Sequence, residues 1–446
     1  MIFHVCHYKT RSFVSVVLAF FALIATCPQA SADKQYLYDV YITAVVEPSS
    51  SKVLVTIDIP RSHLLNTLTF RMPANQYSMV DGDGKITRNL DEIVWDPPNA
   101  SAQLSYRVDM NKRKGGGDDS PVYSRFIGAE WGLIRGDDLV PPVTTSTVKR
   151  ESKPRSSTYL KFILPKSWRT AVGGWERLNE EKLAGKNEIS FRIDNPERRF
   201  DRPTGWFALG KLGTRREQIG PTTFYIGAPK GTQIERLTTL ALVTGILPKL
   251  QGLVSTPPPY LTLVSAGAPM WRGGLSGPNS LYLHEERPLI SENGTSTLVH
   301  ELFHSVTRIR GKDAGDDWIA EGLAEFYSFE TLYRAGLLTS ARRKIIIEKL
   351  QTWGLDVKTF RVKRSSGATS AAAAAWFAEL EEAFGAKGKT QMDRLVKALA
   401  DTRAVSTDFL LSEIRKLAKN AADQELLNKL LADKRVKTIA SDANLK

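Results

Sequence analysis

The hydrophobic pattern changes period about halfway along the chain, and that change limits the fold more than any other feature. Between 33 and 219 apolar and polar residues alternate. In 52–59, Val53, Val55, Ile57 and Ile59 fall on one side of an extended chain, as a half-buried strand requires. Segment 36–46 is rich in Tyr, Val and Ile. Turn-forming clusters at 48–51 (PSSS), 81–84 (DGDG) and 115–119 (GGGDD) separate such runs, the pattern of an antiparallel sandwich. Beyond 221 the spacing becomes helical. Segment 232–253 reads as a helix closed by TPPP at 256–259, and 260–265 and 280–284 read as strands. Helices are then predicted at 297–309, 318–335, 341–353, 371–384, 390–400 and 408–417. The expectation is an α+β multidomain protein. It has a β-rich N-terminal sandwich over 33–219, a mixed α/β domain over 220–336 and a helical C-terminal region over 337–446. The length of 446 residues agrees with two or three domains.

The start of the chain points to export. Lys9 and Arg11 precede an apolar run over 13–26, followed by Pro28 and the small triplet Ala30-Ser31-Ala32, the form of a secretory signal peptide cut after Ala32. The apolar core is shorter than the ~20 residues that a membrane-spanning helix needs. A lipoprotein signal at Cys27 is the weaker alternative, because Thr26 suits lipidation poorly. Both cysteines, Cys6 and Cys27, would leave with the leader. The mature chain would then rely on its core or on a metal rather than on disulfides. Removing Lys9 and Arg11 with the leader lowers the formal charge from +13 to +11. Basic residues gather at Lys149, Arg150, Lys153, Arg155, Lys161, Lys166 and Arg169, as a solvated rim or as a contact for an acidic cell surface. No nucleic-acid-binding signature accompanies the charge, and no segment after the leader is predicted to span a membrane. The expected location is periplasmic or secreted.

Four histidines fall outside the leader: His63, His284, His300 and His304. The last two belong to the sequence HELFH at 300–304. Residues four apart share one face of a helix. Both imidazoles can therefore reach one metal ion, with Glu301 beside them to take a proton from water. A second helix follows, with the sequence WIAEGLAEFY at 318–327, for which Asp317 is a suitable N-cap. Glu321 is the natural third ligand, since two His and one Glu form a standard set for catalytic Zn²⁺. Glu325 lies one turn further on the same face, where it can accept the free ring N–H of a ligating histidine.

HELFH followed by WIAEGLAEFY resembles the gluzincin metallopeptidases, in particular the glycyl aminopeptidases of the aminopeptidase N superfamily. GGLSGPNSLYL at 273–283 is similar to the edge strand that lies along the substrate in that family. The resemblance implies a thermolysin-like zinc peptidase domain and a peptide or protein substrate. It also implies substrate contacts at Gly274, Leu275, Ser276, Tyr282 and His284. The order of parts agrees with the family, and the expectation is a member without the PDZ domain that many relatives carry.

Three departures bear on function. Ser276 stands where the aminopeptidases carry a glutamate that binds the substrate's amine, so exo or endo action stays open. The gap from His304 to Glu321 is shorter than the family's. The tyrosine that stabilises the oxyanion has no counterpart. The nearest match is Arg364-Ser365-Ser366-Gly367, and Arg364, Tyr327 or His284 would have to supply that donor. A non-catalytic zinc-stabilised envelope protein that binds peptides or cell-surface partners is therefore an alternative. Arg308 and Arg310 suit the C-terminal end of the zinc helix and could also meet a substrate carboxylate. Residues 131–138 could face the catalytic domain, although an ordinary interdomain turn is the preferred reading.

Overall fold

The computed structural model describes residues 37–438, apart from 118–119, 148–153, 179–186, 196–197 and 419–420. The expected leader, and Lys149, Arg150 and Lys153 of the basic cluster, lie outside the described residues.

The N-terminal half is β-rich, with three sheets around one core where the sequence suggests two. Strand Leu37–Glu47 lies near the middle of a seven-stranded sheet. It pairs antiparallel with Lys52–Ile59 and parallel with Arg155–Ile163. The parallel pair corrects the expectation of a purely antiparallel sandwich. Alternation cannot reveal strand direction, because side chains alternate in both arrangements. A four-stranded sheet closes one side of the core with Leu68, Phe70 and Trp95. A five-stranded sheet closes another with Ile134, Phe207 and Leu209.

The second half is built on a mixed sheet in the order β1 (Leu212–Ile219), β2 (Thr222–Pro229), β3 (Tyr260–Ala266), β5 (Ser280–His284), β4 (Gly274–Gly277). Strands β2, β3 and β5 are parallel neighbours; β1 and the edge strand β4 run antiparallel to theirs. β1, expected in the sandwich, pairs with β2. By its hydrogen bonding β1 belongs to the mixed sheet. Its sequence, LGTRREQI, is polar between Leu212 and Ile219 and does not say which sheet it joins.

Helix α1 (Arg236–Gln251) connects β2 to β3. Then follow α2 (Thr297–Thr307), α3 (Asp317–Arg334), α4 (Ser340–Trp353), α5 (Ala368–Ala383), α6 (Gly388–Thr402), α7 (Thr407–Leu417) and α8 (Gln424–Leu431). One apolar cluster runs from Ile219 through α2 and α3 to Val436. The helices after 336 thus share the core of the mixed sheet rather than forming a unit of their own. Alanines 371–375 of α5 let it approach α3 closely. A Cβ on Gly322 would come within 2.6 Å of Ala373 Cβ, so the residue after Glu321 must be glycine at this crossing. A smaller cluster joins the two halves. Leu133, Val172, Trp206 and Ala208 from the β-rich side meet Val264, Ala266, Met270 and Tyr282. No helix among the described residues is long and apolar enough to cross a membrane.

Candidate metal centre and active site

Helix α2 begins where Ser296 accepts a hydrogen bond from the Val299 N–H. Losing such a cap typically costs about 1 kcal/mol. Leu298, Val299, Leu302, Phe303 and Val306 bury its inner face, and Phe303 stacks on Tyr327 of α3 with ring centroids 5.1 Å apart. The spacing of these apolar residues leaves His300 and His304 together on the other face. The helix ends at Arg308 in the left-handed conformation.

Helix α3 packs against α2 and turns Glu321 towards both histidines. His300 Nε2 and His304 Nε2 are 3.2 Å apart, and each lies 3.4 Å from an oxygen of Glu321. Four-coordinate zinc, at ~2.0–2.1 Å from its nitrogen and oxygen ligands, sets them about 3.3 Å apart. The donor set therefore fits a zinc ion in both chemistry and spacing. Glu325 Oε2 lies 3.2 Å from His300 Nδ1. That contact holds the proton on Nδ1 and leaves Nε2 free as a donor. The electrostatics also favour a cation. Burial disfavours charge on His300, but the carboxylates of Glu321, Glu325 and Glu301 outweigh it and push its pKa up to about 10. Burial likewise opposes charge on Glu321, yet its hydrogen bonds with both histidines hold the carboxyl far below the usual range.

Glu301 is buried at 8% exposure. Its Oε2 accepts a 2.6 Å hydrogen bond from the Ser276 N–H of the edge strand. This contact fixes the carboxylate between the metal helix and β4. Gly274 makes the approach possible: a Cβ there would lie 2.7 Å from Thr297 Cγ2 and 3.1 Å from Glu301 Cγ.

The edge strand is held from behind by the β-rich half. Trp206 donates its Nε1–H to Leu275 O at 2.9 Å, and its backbone N–H to Ser280 Oγ at 2.7 Å. Arg135 lies over the Trp206 ring. Residues 131–138 therefore do face the mixed sheet, as strand Trp131–Arg135 and a short helix. Sequence reading missed Trp206. Its only signal is a tryptophan between small residues in GWFALG, and nothing in the local pattern says what lies across the interface.

Segment 273–283 is not one strand along a substrate but a hairpin, turning at Asn279 with φ +54°. Gly274, Leu275 and Ser276 occupy the exposed edge. Tyr282 and His284 fall on the inner strand β5. The Tyr282 hydroxyl bonds Trp271 O, and its ring packs among Trp206 and Trp271. Burial pushes its pKa well up. His284 is buried, accepts from the Glu286 N–H at 3.2 Å, and has its pKa lowered by burial. Both are supports of the strand.

The other two candidate oxyanion donors, Tyr327 and Arg364, also settle differently. Tyr327 is buried in the helical core, and its hydroxyl bonds Asp393 at 2.9 Å. It stands six residues beyond Glu321, on another face of α3. Arg364 is exposed on the loop after α4, and its electrostatic neighbours are Asp317 and Lys114. Asp317 does not cap α3. It is the first helical residue and accepts from the Ser365 N–H at 2.7 Å, which ties that loop to the helix start.

No protein-family profile and no curated protein matches the sequence. A solved structure does match the fold. The crystal structure described as an aminopeptidase N family protein from Idiomarina loihiensis aligns with a TM-score of 0.63. It covers 90% of this chain and 77% of its own, at 14% identity. The fold is therefore aminopeptidase-like, with a β-rich N-terminal region and a helical C-terminal region.

Proposed function

We propose that the chain is an exported, zinc-dependent peptidase of the gluzincin type. The observation that carries this reading is the triad His300, His304 and Glu321, whose ligand atoms lie within 4.8 Å of one another, beside Glu301 bonded to the edge strand. Zinc held there supplies a Lewis acid that lowers the pKa of a water molecule and polarises the scissile carbonyl. Glu301 takes the water's proton and delivers it to the leaving amine. Its Oε2 is occupied by the Ser276 N–H, which leaves Oε1 for the transfer. An extended peptide or protein substrate adds to the edge strand at Gly274–Ser276, as in β-augmentation. Ser276 offers no carboxylate for a substrate amine, which favours cleavage within a chain over removal of its first residue.

A second reading keeps the metal without the catalysis, as a zinc-stabilised envelope protein that binds peptides. It is favoured by one observation: the hydroxyls of Tyr327 and Tyr282 are committed to Asp393 and Trp271, so neither supplies an oxyanion donor. Glu301→Gln separates the readings. The peptidase reading expects zinc to stay bound while turnover of a peptide library falls by at least ~10². A wild-type protein that binds zinc and cleaves nothing would favour the second.

A further inference from the structure

Past the C-terminal end of the edge strand, the cleft opens into a cavity of about 640 Å³. Its wall begins at His304, Ser276 and Gly277 and continues to the β-rich half at Trp175 and Asn195. The charge on this wall is one-sided. Arg192, Arg198, Arg308, Arg310 and Arg403 line it, against Glu176 and Asp194. Two loops bring the arginines together, since the Arg310 N–H donates to Arg403 O at 2.8 Å.

The backbone is strained where it presents them. Six non-glycine residues among those described have positive φ. Three of the six line this cavity: Asn279 at +54°, Arg308 at +56° and Arg403 at +64°. Arg308 occupies the position after a helix where glycine is usual. A residue without Cβ would relieve that strain, and arginine is present instead. Its guanidinium donates to Asn279 Oδ1 across the cavity, which aligns it along the path from the edge strand. Arg198 adds a buried Nη1 with no hydrogen-bond partner among the described residues. Strain held at one place in a structure points to function there, and clustered guanidinium groups match carboxylates in geometry as well as charge.

We infer that this cavity is a subsite for acidic residues of the substrate, on one side of the scissile bond only. The inference rests on the peptidase reading and extends it. A peptide added to β4 runs off the strand at Gly277 and enters the arginine wall. Aspartate and glutamate side chains on that side would pair with Arg308, Arg403 and their neighbours. The other end of β4 leads to Trp271 and lies outside this cavity.

The test has a binding arm and a turnover arm. In the first, a fluorescent peptide rich in glutamate is titrated onto zinc-loaded Glu301→Gln protein at increasing salt, beside a glutamine-substituted peptide. The glutamate peptide should bind about tenfold more tightly at low salt, with the difference shrinking as salt rises. Arg403→Gln, and separately the exposed Arg192→Gln, should each reduce that difference. Equal binding of the two peptides, or a preference for a single-stranded oligonucleotide over both, would overturn the inference. This arm needs no hydrolysis, so it stands or falls independently of catalysis. In the second, wild-type enzyme is given peptides with aspartate scanned through each position flanking a fixed cleavage site. A preference confined to one side supports the subsite. Cleavage indifferent to acidic residues would overturn the subsite while leaving the peptidase reading intact.

Discussion

The two walls of the cleft are built by different rules. The helical wall, α2 and α3, is self-sufficient. Its candidate ligands and their outer partner Glu325 come from two neighbouring helices within 38 residues of chain. The strand wall is borrowed. The edge strand has four residues, and its position depends on Trp206 and on the fit of Gly274 against α2. An isolated short edge strand is a weak element, so holding it from behind sets where a substrate can lie. The comparison teaches that metal affinity and turnover should be separable by mutation in this fold.

The largest effect should come from the helical wall. His304→Ala removes one of three ligands, and zinc content should fall from about one per chain to near zero. Metal analysis after dialysis checks this, and retention of stoichiometric zinc would break the assignment. Glu325→Gln should act in the same direction more weakly. Loss of the carboxylate at His300 Nδ1 should weaken zinc binding about 10–100-fold, read by competition with a chelating dye.

The strand wall should respond in the opposite way, losing turnover and keeping zinc. Gly274→Ala places a methyl group against Thr297 and Glu301 and pushes β4 away from α2. A displacement of about 1 Å can cost on the order of 10² in rate, so kcat/KM on the best library peptide should fall towards that extent. Trp206→Phe keeps most of the packing but removes the bond to Leu275 O. One such bond is worth about 1 kcal/mol, so a several-fold loss is expected. If either variant lost zinc along with activity, the two walls would not be independent.

The same contrast explains what could be read from the sequence. His300, Glu301, His304, Glu321 and Glu325 are legible because helical periodicity converts spacing into direction: residues four apart must share a face. The edge hairpin was only half legible. GGLSGPNSLYL contains a turn at Pro278-Asn279, which a reading of the segment as one strand passes over, and Tyr282 and His284 consequently sit one strand further in than expected. Tyr327 fails for a related reason. Its place in WIAEGLAEFY suggests proximity to the site, but six residues along a helix is not a whole number of turns. Trp206 and the arginines around Arg308 were hardest to place, because they become neighbours only through contacts between distant segments. β1 reads as part of the sandwich because nothing in its polar sequence says which sheet supplies its partner.

The smallest expected effect lies on the β-rich side, behind the arginine wall. Asp201 is buried, with Oδ2 accepting from the Asn195 N–H at 3.1 Å and Oδ1 without a hydrogen-bond partner among the described residues. Burial pushes its pKa up from 3.8 to about 6, partly opposed by the Asn195 N–H. A carboxyl whose pKa is raised on folding favours the folded state below its unfolded pKa, and that contribution disappears as pH rises through the folded value. Wild-type stability should therefore decline between about pH 4 and 6.5, by on the order of 1–2 kcal/mol once solvent screening is allowed for. Asp201→Asn stays neutral and should not show that decline. Denaturant midpoints for both proteins at pH 4.5 and 7 provide the check. The variant should gain on wild type at the higher pH, with no change in zinc affinity, since Asn195 and Arg198 border the cavity rather than the metal ligands. Parallel curves would mean that Asp201 is ionised in the folded protein throughout this range, and that burial alone does not govern it.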